Sequence, residues 1–186
     1  MTLASGSWSC GCSRRQFLRG LSAAAAAFAL PAAPAAAFDA RRVLSFVNTH
    51  TGGRLAVAYW EGGAYLQEGL SALNTFLRDH RTGDEHQMHP PLFDILYDLR
   101  LAAGTNEPFQ VISGYRSPRS NALLQAEGHG VASGSLHMQG RAIDIRVADV
   151  ASDRLRDAAL TLQRGGVGYY RASDFVHVDT GRVRCW

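Results

Sequence analysis

The chain has 186 residues, 46% of them hydrophobic, which is enough for a packed core, and its 19 basic residues against 16 acidic ones give a formal net charge of +3. Arg14, Arg15 and Arg19 fall within the first 37 residues, where there is no acid, so the remainder is close to neutral and the basic excess says nothing about nucleic acid. No basic run, ladder of stacking aromatics or phosphate-cradling glycine motif occurs further on, which sets nucleic-acid partners aside.

Residues 1–37 read as an export signal. Ser13-Arg14-Arg15-Gln16-Phe17-Leu18-Arg19 fits the twin-arginine pattern, and an alanine-rich apolar stretch follows from Leu21 to Leu30. That stretch is roughly half of the ~20 residues a spanning helix needs, so no stable membrane span is expected once the signal is removed. Ala35-Ala36-Ala37 supplies a small-residue cleavage site, and the released chain, starting near Phe38, is expected in the periplasm. Cys10 and Cys12 leave with the signal. Cys185 then stands alone beside Trp186, a packed terminal thiol with no disulfide partner.

About 150 residues remain, enough for one domain and few for two. Val43 to Val47 and Arg54 to Tyr59 read as a hairpin around Asn48-Thr49-His50-Thr51-Gly52-Gly53. Leu66, Leu70, Leu73 and Leu77 mark an amphipathic helix over Tyr65 to Arg78, and Pro90-Pro91 opens another that runs to about Ala103. Phe109 to Ile112 is a short buried strand. Arg141 to Val147 alternates, with Ile143, Ile145 and Val147 on one face and Ala142, Asp144 and Arg146 on the other. A further helix starts at Ser152 as N-cap and stops at Gly165-Gly166, before a strand from Val167 to Tyr170. Phe175 to Asp179 alternates again, with Val176 and Val178 for the core and His177 and Asp179 opposite. Strands and helices mix without regular succession, which predicts a single α+β domain over 38–186 with a central antiparallel sheet flanked by helices.

Two of these strands carry chemistry. Asp144 and His177 would face one pocket if their strands are neighbours, and His137, from the loop bracketed by Gly134 and Gly140, completes two histidines and a carboxylate. That is the ligand set of a catalytic zinc site with one position left for water. Ser135 is placed to support His137 or its neighbours by hydrogen bonding. The residues alone also allow a plainer arrangement, with Asp144 paired to Arg146 and His177 half buried.

The S-x-H-x-x-G-x-A-x-D pattern, Ser135, His137, Gly140, Ala142 and Asp144 here, resembles the zinc signature of the D-Ala-D-Ala metallopeptidase group (peptidase M15-like), whose fold is shared with the hedgehog signalling domain. Ser113-Gly114-Tyr115-Arg116-Ser117, Gly165-Gly166-Val167-Gly168-Tyr169-Tyr170 and Phe175-Val176-His177-Val178-Asp179-Thr180-Gly181 extend the likeness to the twin-arginine-exported murein endopeptidases of Gram-negative bacteria. The resemblance implies a hedgehog/DD-peptidase-like fold and Zn2+ held by His137, Asp144 and His177. It also implies a peptidoglycan substrate with cross-links containing meso-diaminopimelate, including the 3-3 type.

Arg116 follows a strand end and Gly114, so its guanidinium can reach a carboxylate or a developing oxyanion at the mouth of the site; a plain turn arginine is the alternative. The resemblance implies the oxyanion role, with Tyr115, Ser117 and Asn121 lining the same wall. A general base is also needed, and two acids compete. Asp174 lies three residues before His177, where related dipeptidases place a catalytic glutamate, but needs a bend near Ser173 to face the metal. Asp179 shares the strand face of His177 and departs from the His-x-His ending of some relatives, which leaves it as base, as support for a ligand or as a substrate contact. His86, His89 and His129 read as loop residues, and His50 and His80 receive no role. Gly128 to Gly134 reads as a lip over the groove, a lid or a turn.

The function expected is therefore a monomeric, zinc-dependent murein endopeptidase. A D,D-carboxypeptidase or dipeptidase, and a zinc-bearing module that binds murein or a protein without turnover, are the alternatives.

Overall fold

In the computed structural model, residues 41–128 and 131–186 are described. The twin-arginine run, Cys10, Cys12, the Ala35-Ala36-Ala37 cleavage site and His129 lie outside the described residues.

The first hairpin forms as its alternation predicts. β1 (Arg42–Asn48) and β2 (Arg54–Glu61) pair antiparallel, and Asn48 Oδ1 fastens the turn by accepting from His50 N and Thr51 N. A short β3 (Ala64–Tyr65) takes up the start of the expected helix, so α1 runs over Gln67–Phe76 rather than Tyr65 to Arg78. α2 (Pro90–Ala103) begins on its two prolines, whose fixed φ suits a first turn, and ends where Gly104 turns left-handed at φ 68 and donates to Arg100 and Leu101 carbonyls. β4 (Phe109–Ser113) then lies beside β1.

A helix absent from the sequence reading follows, α3 (Pro118–Ala126). Ser117 caps it by accepting from Ser120 N at 3.2 Å and Pro118 occupies its first turn, so its start was written in the Ser-Pro pair; its weakly amphipathic body was not. A 3-10 turn, Leu136–Gln139, leads into β5 (Ala142–Arg146). α4 (Ser152–Leu162) is capped from Ala151 rather than Ser152, whose hydroxyl is used elsewhere. β6 (Gly166–Tyr170), a 3-10 turn over Arg171–Ser173, β7 (Phe175–Asp179) and β8 (Arg184–Cys185) complete the order.

The strands make one sheet in the order β3-β2-β1-β4-β5-β7-β6-β8. It is mostly antiparallel, as expected, but β1 with β4 and β6 with β8 are parallel, so the sheet is mixed. The β1–β4 pairing is reached only after α1 and α2 have crossed, the long connection that parallel neighbours need. α2 packs on β1 and α4, and α4 on β6 and β7. Leu73, Leu92, Leu96, Leu99 and Leu155 from the helices meet Leu44, Phe46, Ile143, Ile145, Val176 and Val178 from the strands in one cluster. Each such side chain is worth about 1.5–3 kcal/mol of burial, so this face holds the sheet and frees its other face for polar work. Among the described residues no helix is long and apolar enough to cross a membrane.

Candidate metal centre

Register brings the first two predicted ligands together. β5 and β7 are antiparallel neighbours with Asp144 directly opposite His177 and Ile143 opposite Val178, so one face of the pair is apolar and the other carries the site. His137 arrives from the 3-10 turn before β5. Ser135 Oγ accepts from His137 N at 3.4 Å, and Gly140 closes the turn at φ 64, where a side chain would be strained and its Cβ would strike the Gln87 carbonyl. All three residues are buried, at 3%, 6% and 8% exposure for His137, Asp144 and His177, and the atoms they offer lie within 4.8 Å of one another.

The donor set fits a metal ion. His137 Nδ1 lies 2.7 Å from the Gly114 carbonyl, an acceptor only, so it carries the ring proton and leaves Nε2 as a lone pair. His177 Nε2 lies 3.1 Å from Asp179 Oδ2, which puts the proton of a neutral ring there and leaves Nδ1 as a lone pair. The free atoms make a triangle: His137 Nε2 to His177 Nδ1 3.2 Å, His137 Nε2 to Asp144 Oδ1 3.2 Å, and His177 Nδ1 to Asp144 Oδ1 2.9 Å. Ligand bonds of about 2.0–2.2 Å in a tetrahedron put neighbouring ligands roughly 3.3–3.6 Å apart, so small movements suffice. Two lone pairs and a carboxylate aimed at one point repel unless a cation or a proton sits between them. The proton shows in the charges: burial works against the His177 imidazolium, but Asp144 and Asp179 outweigh it and raise the pKa to about 9. Burial pushes the Asp144 carboxyl up, and His137 and His177 more than reverse that, holding it well below the usual carboxylate range.

Asp179 is fully buried behind His177. Its Oδ1 accepts from Gly166 N at 3.0 Å and Gly181 N at 2.7 Å, and its Oδ2 accepts from Arg184 Nη2 at 2.7 Å besides His177. A carboxylate so occupied orients a histidine, and of the three roles left open for it, base, support or substrate contact, the geometry matches support. Asp174 is displaced from its expected position. The bend it required is present, a left-handed φ of 51 at Asp174 itself, but the carboxylate accepts from Ser152 Oγ at 2.6 Å, stands 3.9 Å from Arg146 and does not line the cavity. The start of α4 attracts it, since a helix N-terminus favours an anion.

Arg116 is brought in as predicted. It is 8% exposed, with Nη2 3.6 Å from Asp144 Oδ2 and 3.3 Å from Ser113 Oγ, and its Nε has no hydrogen-bond partner among the described residues. Of its expected neighbours, Ser117 caps α3, Asn121 Nδ2 donates to the Ala132 carbonyl at 3.2 Å, and Tyr115 stacks on His86 at 4.8 Å; none of the three lines the cavity. His89 is bonded to Thr180 at 3.0 Å, apart from the triad.

The triad and Arg116 line a cavity of about 700 Å³. Sequence reasoning overlooked much of its wall: His50, Arg81, Tyr170, Phe175, Arg184 and Trp186. Trp186 lies 5.2 Å from the His177 ring and over Gly168, where any side chain would collide with the indole. The Gly-x-Gly run of β6 was the available signal, since a glycine inside a strand marks a close approach. Cys185 is an exposed free thiol outside the triad.

The family model described as peptidoglycan L,D-endopeptidase MepK matches residues 36–186. The peptidoglycan L,D-endopeptidase MepK of Escherichia coli K12 is 42% identical over 169 residues, covering 91% of this chain and 93% of that protein. A Haemophilus influenzae protein named as a probable peptidoglycan L,D-endopeptidase MepK is 41% identical over 146 residues, 78% of each chain. A match of that extent and identity makes this chain a peptidase of the M15-like peptidoglycan L,D-endopeptidase MepK family.

Proposed function

We propose that the protein is a zinc-dependent murein endopeptidase that hydrolyses an amide in the peptide cross-links of peptidoglycan, including 3-3 links between meso-diaminopimelate residues. The observation that carries this reading is the convergence of His137 Nε2, His177 Nδ1 and Asp144 Oδ1 at the floor of an open cavity beside a buried arginine. Three protein ligands with an open side suit catalysis, whereas a structural site closes with four. When bound, zinc supplies Lewis acidity that polarises the scissile carbonyl and acidifies water.

The protein's own groups do the rest. Asp179 and the Gly114 carbonyl hold the two imidazoles in the tautomers that present lone pairs inward. Arg116, with Nε unpartnered among the described residues, donates to the carbonyl oxygen as negative charge develops there. Asp174 is the proton acceptor. It sits between Ser173 and Phe175, which both line the cavity, and to act there it must leave Ser152 for the substrate site. It takes a proton from the attacking water and delivers it to the leaving amine.

Residues 1–37 serve as a twin-arginine signal, 38–186 form the peptidase domain, and the mature protein acts as a monomer in the periplasm. The test is a digest of murein sacculi by zinc-loaded protein of residues 38–186, with products identified by mass. Cross-linked dimers converted to monomers support the reading; loss of only a terminal residue makes the enzyme a carboxypeptidase, and intact murein with stoichiometric zinc refutes hydrolysis.

A further inference from the structure

Three arginines line the cavity, and two are engaged. Arg184 holds Asp179 through Nη1 at 3.2 Å and Nη2 at 2.7 Å, and Arg116 faces Asp144. The Arg81 guanidinium makes no ion pair or hydrogen bond with another described residue, although its backbone is tightly held. Asp79, 1% exposed, accepts from Arg81 N at 2.9 Å through Oδ1 and from Ser117 N at 2.8 Å through Oδ2. Asp79 N in turn donates to the Asp84 carbonyl and Gly83 N to the Asp79 carbonyl, which closes a compact turn. That carboxyl is held well below its usual range: burial pushes it up, and contacts from Ser120, Ser117 and Arg81 overcome the push. A hydrogen-bonded turn therefore carries an unpaired cationic side chain onto the wall of the cavity that Arg116 also lines.

Glu127 is the other acid besides Asp144 among the described residues that line this cavity, and no ion pair joins it to Arg81. His50 stacks on His80 at 3.8 Å and its Nε2 bonds the Ile112 carbonyl at 2.9 Å. Burial, then His50 and Arg81, lower His80 to about 4, so it adds no charge at neutral pH. Arg81 and Arg116 line the same cavity, so an anion that enters it meets both guanidinium groups. Two cations that line one cavity are an arrangement that an incoming anion relieves.

We propose that Arg81 binds a free carboxylate of the substrate peptide, on the Arg116 side of the metal centre, and so selects cross-links whose residue beside the scissile amide bears an ionised carboxylate over those in which that group is a carboxamide. The inference rests on the endopeptidase reading above, because it names a subsite of the same cavity. Arg81 does not touch the reacting atoms; its guanidinium fork fixes the register of the peptide.

The test uses zinc-loaded protein and two synthetic cross-linked peptides that differ only in that carboxylate or carboxamide. The wild-type protein is expected to show a KM lower for the acid by roughly 10- to 100-fold, the range of a hydrogen bond to a charged partner. Arg81→Gln brings the two KM values together by raising that of the acid, Arg81→Lys restores part of the preference, and Arg119→Gln, an exposed arginine outside the cavity, leaves the preference intact. Full preference retained in Arg81→Gln, or equal losses on both peptides, overturns the assignment. Equal cleavage of both peptides by the wild type leaves the endopeptidase reading standing and refutes the subsite, whereas cleavage of neither refutes both.

Discussion

Asp179→Asn separates the roles a carboxylate beside a metal ligand can play. The substitution keeps the volume and removes the charge. If the amide oxygen stays toward Gly166 N and Gly181 N, the new NH2 group faces Arg184 Nη2 and His177 Nε2, which are donors, so two charge-assisted hydrogen bonds are lost. Such bonds are worth about 1.5–3 kcal/mol each. The Arg184 side chain is 32% exposed and can rehydrate, so its share falls to the low end and the total is about 3 kcal/mol. For a domain of this size that is a fall in Tm of roughly 6–12 °C. The larger signature is in the metal: with no acceptor on Nε2 the His177 ring loses its tautomer and orientation, and zinc affinity falls roughly 10- to 100-fold. Calorimetric melting of the metal-free protein and competition with a chelator measure the two effects. Because burial raises the Asp179 carboxyl, while His177, Arg184 and two backbone N–H groups lower it further still, its contribution is present above about pH 4 and is lost as the pH falls through its depressed folded value. Zinc affinity equal to wild type with activity reduced a thousandfold would refute the orienting role and make Asp179 the base.

Asp174→Asn suits the left-handed backbone at φ 51 as well as aspartate does, so its fold is retained; a base predicts a kcat loss of about 10²–10⁴, and a kcat near wild type refutes the assignment. Arg116→Lys keeps the charge but not the fork, and kcat/KM is expected to fall by about 10²–10³ with zinc content unchanged by mass spectrometry under native conditions; loss of zinc instead would make Arg116 a structural partner of Asp144. Zinc competes with a proton on His177, whose pKa is raised to about 9, so apparent affinity weakens by up to about tenfold for each pH unit below that value, measured by titration with a buffered indicator. The sign for the metal-free protein is opposite: the raised pKa adds stability below about pH 6.5, which disappears as the pH rises through 9, and metal-free melting temperatures flat over that range would contradict it.

The strands were legible where one face meets the core. Ile143, Ile145, Val176 and Val178 alternate with Asp144 and His177 because a two-residue period is forced on any half-buried strand. Local pattern fails where pairing is remote. Nothing near Phe46 or Phe109 announces that β1 and β4 lie parallel, since that pairing depends on the path of the two helices between them. α3 was missed because it buries little apolar surface, only Ser120 and Asn121 being buried, so no stripe marks it. The position of the Asp174 side chain was hidden for a related reason: three residues before His177 is the right distance along the chain, but a left-handed residue directs its carboxylate to a helix start that sequence spacing does not reveal.

Ligand and core are specified by the same alternation, which explains why the triad can be read from so few residues. Asp144 stands opposite His177 only while Ile143 stands opposite Val178 and Ile145 opposite Val176. A slip of one residue would turn Val176 or Val178 toward the cavity and His177 into the apolar cluster, at a cost of several buried side chains of about 1.5–3 kcal/mol each. The hydrophobic face therefore enforces the placement of Asp144 against His177 in the candidate metal triad. His137 has no such strand to hold it, and depends on Gly140 to close its turn and on the Gly114 carbonyl to fix its ring. The Gly114 carbonyl comes from the loop that also carries Arg116, and Arg116 N donates to the His137 carbonyl at 3.2 Å. Ring orientation and the arginine are thereby set by one loop, so on the proposed mechanism a change that moves it is expected to disturb metal binding and transition-state stabilisation together, whereas changes in β7 are expected to reach the metal through His177 alone.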